Sequence, residues 1–205
     1  MRVLIACEES QTVCKAFRER GHEAYSCDIQ ECSGGHPEWH IQGDAIELMK
    51  IKWDLVIAHP PCTYLTSSSA VRLYNKDHAV KDQERLKKGK EAVHFFMAIY
   101  EADQPRICIE NPTPIKAFGL PPYDQIIEPF YFGEKWRKRT CLWLRNLPPL
   151  FPTCLTTPTG LWVGSTSSRR YKYDESYYTL NAARSPKLRA RTFPGVARAM
   201  AEQWG

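Results

Sequence analysis

At 205 residues and a net charge of +5, with ordinary apolar and charged fractions, the chain is long enough for one domain with its own core and too balanced for wholesale disorder. No apolar run approaches the ~20 residues that cross a bilayer, and the opening MRVLIACEES lacks a secretory layout, so a cytoplasmic protein without a membrane partner is expected. The eight cysteines (Cys7, Cys14, Cys27, Cys32, Cys62, Cys108, Cys141, Cys154) therefore read as reduced thiols rather than a disulfide framework. Basic clusters at 85–90, 135–139 and 169–198 suit a polyanionic partner, or are solvated faces.

In chain order, VLIAC (3–7) predicts a short buried strand. Gln11 to Arg20 predicts a helix with Val13, Ala16 and Phe17 on one face, stopped by Gly21. Glu23 to Ile29 is a second strand, and the loop QECSGGHPEWH leads to a short apolar piece around Ile41. Trp53 to Ala58 is the clearest buried strand and runs into His59-Pro60-Pro61-Cys62. A polar loop precedes a long helix, Gln83 to Ala102, with Val93, Phe96, Met97 and Tyr100 at helical spacing. Arg106 to Glu110 is another strand, closed by Asn111-Pro112. Strands alternating with helices imply crossovers and a mainly parallel α/β sheet. Residues 125–144 predict a hairpin, IIEPFYF and RTCLWL joined by GEKWRK. The chain divides into a core (1–147), a loop-rich insertion (148–192) and a final helix (193–205) within one domain.

In open α/β sheets, ligands bind beyond the carboxyl ends of the strands. Those ends carry Glu8 and Glu9, Asp28, Asp44, Cys62 and Glu110. An acid after the second strand commonly binds a ribose, which suits Asp28, although a turn residue also fits. Asp44 could accept from an adenine amino group or cap the helix that follows. Two prolines after a buried strand hold the next side chain at the sheet edge, so Cys62 sits at the mouth of the cleft as a nucleophile. Glu110-Asn111-Pro112 repeats the device one strand on, offering a carboxylate to a ring bound over Cys62.

These motifs resemble the DNA cytosine-5 methyltransferase family, and most of all its small phage and prophage members. The likeness rests on Pro61-Cys62, Glu110-Asn111, the acids at 28 and 44, and Arg137-Lys138-Arg139 as an Arg-x-Arg motif. It covers about residues 1–155. The resemblance implies a Rossmann-like methyltransferase fold with an antiparallel hairpin and no large target-recognition domain, acting on DNA with S-adenosylmethionine as methyl donor. Within that likeness Cys62 adds to carbon-6 of cytosine, Glu110 bonds ring nitrogen-3 and the amine, and Arg137 and Arg139 anchor the nucleotide. Ala6, Cys7, Glu8 and Glu9 line the donor cleft, joined by Asp28 with Ile29, Asp44 with Ala45, and His59 with Pro60. Pro61, Asn111 and Trp136 face the base. For a phage-encoded protein the setting is the bacterial host cytoplasm, and the purpose is protection of DNA from restriction.

The chain departs from the family at the first loop, Ala6-Cys7-Glu8-Glu9-Ser10, which has no glycine, and at Thr63-Tyr64-Leu65-Thr66-Ser67 after the nucleophile. A carbon-5 modifier of a free pyrimidine nucleotide, or one using another donor, is the second reading, and a silent DNA-binding protein the third. Cys27, Cys32, His36 and His40 have spacing that a structural zinc could use, but a surface loop closing over the cofactor is preferred. Trp136, Tyr171, Tyr173, Tyr177 and Tyr178 either stack on bases or cover the core.

Overall fold

The parallel part of the sheet comprises β1 (Arg2–Ala6), β2 (Glu23–Asp28), β3 (His40–Gln42), β4 (Leu55–Ala58) and β5 (Ile107–Pro112), with short apolar runs buried on both faces in β1, β4 and β5 and more polar strands at the β2–β3 edge. The computed structural model describes residues 1–158, the backbone of 161–162, and residues 190–205. Beyond β5 the chain turns back. β6 (Gln125–Ile127), the two-residue β7 (Trp136–Arg137) and β8 (Thr140–Arg145) follow, and β8 runs antiparallel between β5 and β6. The seven-stranded order is β3-β2-β1-β4-β5-β8-β6. Separately, β7 pairs with β9 (Leu161–Trp162) in parallel.

The pleat sends alternate residues to opposite faces, and each face has its own core. Val3, Ile5, Leu55, Ile57 and Leu142 meet α1 (Thr12–Glu19) and α5 (Pro194–Trp204) through Phe17, Met200 and Trp204. Leu4, Val56, Ile109 and Trp143 face Phe96 and Ile99 of α4 (Gln83–Tyr100), with Trp143 edge-on to Phe96 at 5.0 Å between centroids. Each large side chain so buried contributes roughly 1.5–3 kcal/mol. On that second face lies α2 (Ala45–Leu48), whose Ala45 packs in the core.

Three local results differ from the pattern-based expectation. The strand expected over 126–132 stops at Ile127, because Pro129 has no N–H for a ladder and opens a 3-10 turn, Pro129–Tyr131. The loop after Cys62 contains a 3-10 turn (Ser67–Ser69) and α3 (Ala70–Leu73), seated by the buried Leu65 and Leu73. β5 extends past Glu110 because Asn111 and Pro112 pair with Cys141 and Thr140 on β8. Where α5 begins, a Cβ on Gly195 would lie 2.0 Å from the Phe132 carbonyl oxygen, so only glycine lets the two backbones approach. Among the described residues, no helix is long and apolar enough to cross a membrane.

Candidate active site

The strand ends form two neighbouring regions. At the first, β4 is prolonged by His59, whose N–H donates to the Ala6 carbonyl, and the chain then passes through Pro60 and Pro61 to Cys62. The Cys62 carbonyl accepts from both Leu65 and Thr66 N–H at 3.0 Å, closing a tight turn behind the thiol. Buried Asn111 donates Nδ2–H to the Pro60 carbonyl at 3.0 Å, which ties the end of β5 to the Pro-Pro-Cys turn. Ser67 N–H to the Thr113 carbonyl (2.8 Å) and Ile115 N–H to the Leu65 carbonyl (2.7 Å) extend this seam. The two proline-bearing segments are therefore joined by three hydrogen bonds.

The electrostatics follow from this packing. Burial pushes the Cys62 thiol up, and the negative charge of Glu110 pushes it further, against the opposing charge of Lys138. Burial would raise Glu110 too. The hydrogen bond from His59 Nδ1 at 2.8 Å, the Lys138 ammonium and the Thr140 hydroxyl outweigh it and hold the carboxyl below its usual range. The Lys138 Nζ donates to the Arg191 carbonyl at 3.2 Å, lies 5.9 Å from the Phe193 ring, and shares a narrow cavity with Glu110, Thr140, Thr192 and Phe193.

Arg137 and Arg139 are placed differently from Lys138. The Arg137 guanidinium lies 5.7 Å over Phe130, and exposed Arg139 shares with Arg137 the role of offsetting the half-buried Glu128 carboxylate. Half-buried Trp136 sits 6.4 Å from Phe193, and Pro61 is exposed beside Cys62. The cation whose field reaches the thiol is thus the middle residue of Arg-Lys-Arg. Strand parity is the available signal, since 138 is in step with the buried Thr140 and Leu142.

The second region lies at the ends of β1, β2 and β3. After Ala6, Cys7 turns with φ +59° and Gln11 with φ +57°, so non-glycine residues take up the left-handed geometry of the first loop. Glu8 is buried and accepts Val13 N–H (2.7 Å) and Cys14 N–H (3.1 Å), covering the first turn of α1. Burial raises its carboxyl, against the pull of His59 and of those N–H groups. Glu9 bonds the Ser33 hydroxyl. Gln11 receives His36 N–H, donates to the His36 carbonyl and accepts from the Cys32 thiol. The 31–36 segment therefore lies directly over the first loop. A Cβ on Gly34 would stand 2.6 Å from the Ser10 carbonyl oxygen.

Asp28 and Asp44 converge on Cys7, whose thiol is pushed up to about 12 by burial and then by Asp28, Cys27 and Asp44. Asp28 Oδ1 accepts Gln30 N–H at 2.9 Å and Asp44 Oδ1 accepts Ile46 N–H at 2.8 Å, so each also serves as turn or cap. Ile29 projects into solvent beside them, 78 % exposed. The strand ends thus bring two carboxylates and an exposed apolar side chain to one edge. The four residues with zinc-like spacing are engaged elsewhere, Cys27 to the Gly43 carbonyl, Cys32 to Gln11, His36 to Glu38 and His40 to Ser26. Tyr171, Tyr173, Tyr177 and Tyr178 lie outside the described residues, as does most of 159–189.

A parallel five-stranded sheet with helices on both faces, extended by an antiparallel strand inserted between β5 and β6, defines a Rossmann-like methyltransferase fold. No family model matches the chain, and no curated protein matches it. Among solved structures it is similar to an E. coli structure described as a DNA modification methyltransferase encoded within a prophage. The identity is 15 % and the TM-score 0.47, over 77 % of this chain and 52 % of that one. The chain thus spans about half the length of that protein.

Proposed function

We propose that the protein is a DNA cytosine carbon-5 methyltransferase with Cys62 as its nucleophile. The observation that carries this reading is the seam between the Pro-Pro-Cys turn and the Glu-Asn-Pro strand end, fixed by Asn111 on the Pro60 carbonyl. It presents a thiol and a buried carboxylate to the same ligand, with Lys138 acting on both. The Cys62 thiolate adds to carbon-6 of the pyrimidine, and the ring electrons shift toward carbon-5 and nitrogen-3. Glu110 bonds nitrogen-3 and the exocyclic amine, stabilising the charge that develops there. Lys138 offsets the negative charge in the pocket, while Arg137 and Arg139 would anchor the nucleotide. Asp28, Ile29 and Asp44 would hold the adenosine half of S-adenosylmethionine, with Ala6, Cys7, Glu9, Ala45 and Pro60 around it. When bound, that group supplies the methyl that carbon-5 takes. Loss of the carbon-5 proton to water expels the sulfur with its bonding pair and restores the Cys62 thiolate. A base in duplex DNA reaches Cys62 only when flipped out, at a cost of a few kcal/mol.

The test is nucleoside mass analysis of DNA incubated with the protein and S-adenosylmethionine, wild type beside Cys62→Ser. The expected result is 5-methylcytosine in the first sample alone. Unmodified cytosine in both overturns the reading. One observation favours a second reading, a carbon-5 modifier of free nucleotides or one with another donor. The 31–36 segment occupies the space over the first loop, where Gly34 touches Ser10 and Gln11. Turnover of deoxycytidine monophosphate that is insensitive to salt would select it, because DNA affinity falls steeply as salt rises.

A further inference from the structure

The residue that follows the nucleophile is held by a cation from another element. Arg85, in the first turn of α4, donates from Nη2 to the Thr63 carbonyl at 2.7 Å. Its guanidinium lies 5.0 Å from the centre of the Tyr64 ring, and the Lys88 ammonium lies 5.9 Å from the same ring. Two cations one helical turn apart are thus gathered beside Thr63 and Tyr64, directly after Cys62. We propose that Arg85 and Lys88 clamp a backbone phosphate of the DNA strand that carries the target base, at the linkage beside that base. The proposal rests on the DNA reading given above and adds the surface that holds the strand.

Rigidity sets Arg85 apart from a cation on a solvated face. A long side chain loses rotamer freedom when it takes up a ligand, but a carbonyl and a ring already hold this one. The helix beneath it is seated too, since Gly89 lies against the Phe118 ring with no room for a Cβ.

Charge sets it apart as well. Both groups that hold the guanidinium are neutral, and among the described residues no carboxylate forms an ion pair with it. The two nearby acids are engaged otherwise: Asp82 accepts the Arg85 backbone N–H at 2.8 Å as the cap of α4, and exposed Glu84 pairs with Lys88 at 2.6 Å. A positive charge therefore stands uncompensated one residue from the nucleophile. A cytosine that leaves the stack to meet Cys62 brings its own phosphates to that place, and a guanidinium matches their oxygens in geometry as well as charge. Glu84 competes with the strand for Lys88, so it weakens the clamp it belongs to.

The test is fluorescence anisotropy of a labelled duplex holding one mispaired cytosine, which leaves the stack most readily. No methyl donor is added, so binding is read without turnover. Arg85→Gln should weaken binding about tenfold and lower the slope of log affinity against log salt by about 1, the signature of one lost phosphate contact. Lys88→Gln should act in the same direction. Glu84→Gln should tighten binding about threefold, a gain that misfolding does not produce. A neutral methylphosphonate beside the mispaired cytosine should weaken the wild type about tenfold and Arg85→Gln no further. If Arg85 only braces the turn, Arg85→Gln changes Cys62 alkylation or the melting temperature and leaves the salt slope as it was. That result overturns the clamp, as does a methylphosphonate that weakens both proteins alike. A wild type that methylates cytosine with a salt slope indifferent to Arg85 overturns the clamp alone. One that binds as expected and makes no 5-methylcytosine overturns the parent reading alone, and one that does not bind DNA overturns both.

Discussion

The two regions at the strand ends are built on different terms. At the ends of β4, β5 and β8, charges act on two groups: Glu110 pushes the Cys62 thiol up against Lys138, and His59 with Lys138 holds Glu110 down, within a seam tied by Asn111. At the ends of β1, β2 and β3, the acids are tied into local structure, with Glu8 on α1, Asp44 on α2 and Asp28 on its own turn. The first region stores reactivity and the second stores shape. Substitutions should accordingly cost chemistry in one and binding or stability in the other.

The largest effect is expected at Cys62. Replacing it with serine should abolish capture of 5-fluorocytosine DNA and lower methylation by roughly a thousand-fold or more, without loss of fold. Next comes Lys138→Met, which removes the cation that, among the described residues, opposes burial at Cys62. About 100-fold in kcat should be lost, and iodoacetamide alkylation of the Cys62 thiol at pH 8 should slow, because less thiolate is present. If Arg137→Met or Arg139→Met changes alkylation as much, the distinction drawn between the three basic residues fails.

Asn111→Leu should lower unfolding free energy by about 1–3 kcal/mol, since it strands the Pro60 carbonyl and removes the tie between the two segments. Gly34→Ala should cost about 1–3 kcal/mol through the Ser10 backbone contact, and should weaken donor binding while leaving Cys62 alkylation unchanged. A change in alkylation there would blur the division between the regions. The smallest effect is at Glu110 in acid. Its folded carboxyl sits below the ordinary value of 4.5. Its stabilising share is therefore whole above that value and is lost as pH falls through the lower folded one. Urea midpoints measured from pH 6 downward should fall less steeply for Glu110→Gln than for wild type.

Much of the parallel sheet was legible because short apolar runs bounded by turn residues mark the buried strands independently. β1, β2, β4 and α1 lie within a residue or two of where the pattern puts them. Cys62 and Glu110 were legible because proline fixes the residue beside it whatever the tertiary context. Lys138 was harder to see. Between two arginines, charge offers no contrast, and only its parity with Thr140 sets it apart. The link from His59 to Glu110 spans adjacent strand ends and has no local signature at all. The seating of 31–36 on the first loop was likewise hidden, because it depends on Gly34 lacking a Cβ that would meet Ser10 and Gln11.

The insertion of β8 between β5 and β6 also sets a timetable. On the ribosome Cys62 emerges early, while Lys138 and the α5 segment that closes around it follow only after on the order of ten seconds of synthesis. Until they arrive, the nascent thiol lacks its cation and has no pocket around it. A chain stalled before β8 therefore carries a sulfur with neither the walls that bury it nor the cation that opposes that burial, and the arrival of the antiparallel strand sets its final proton affinity.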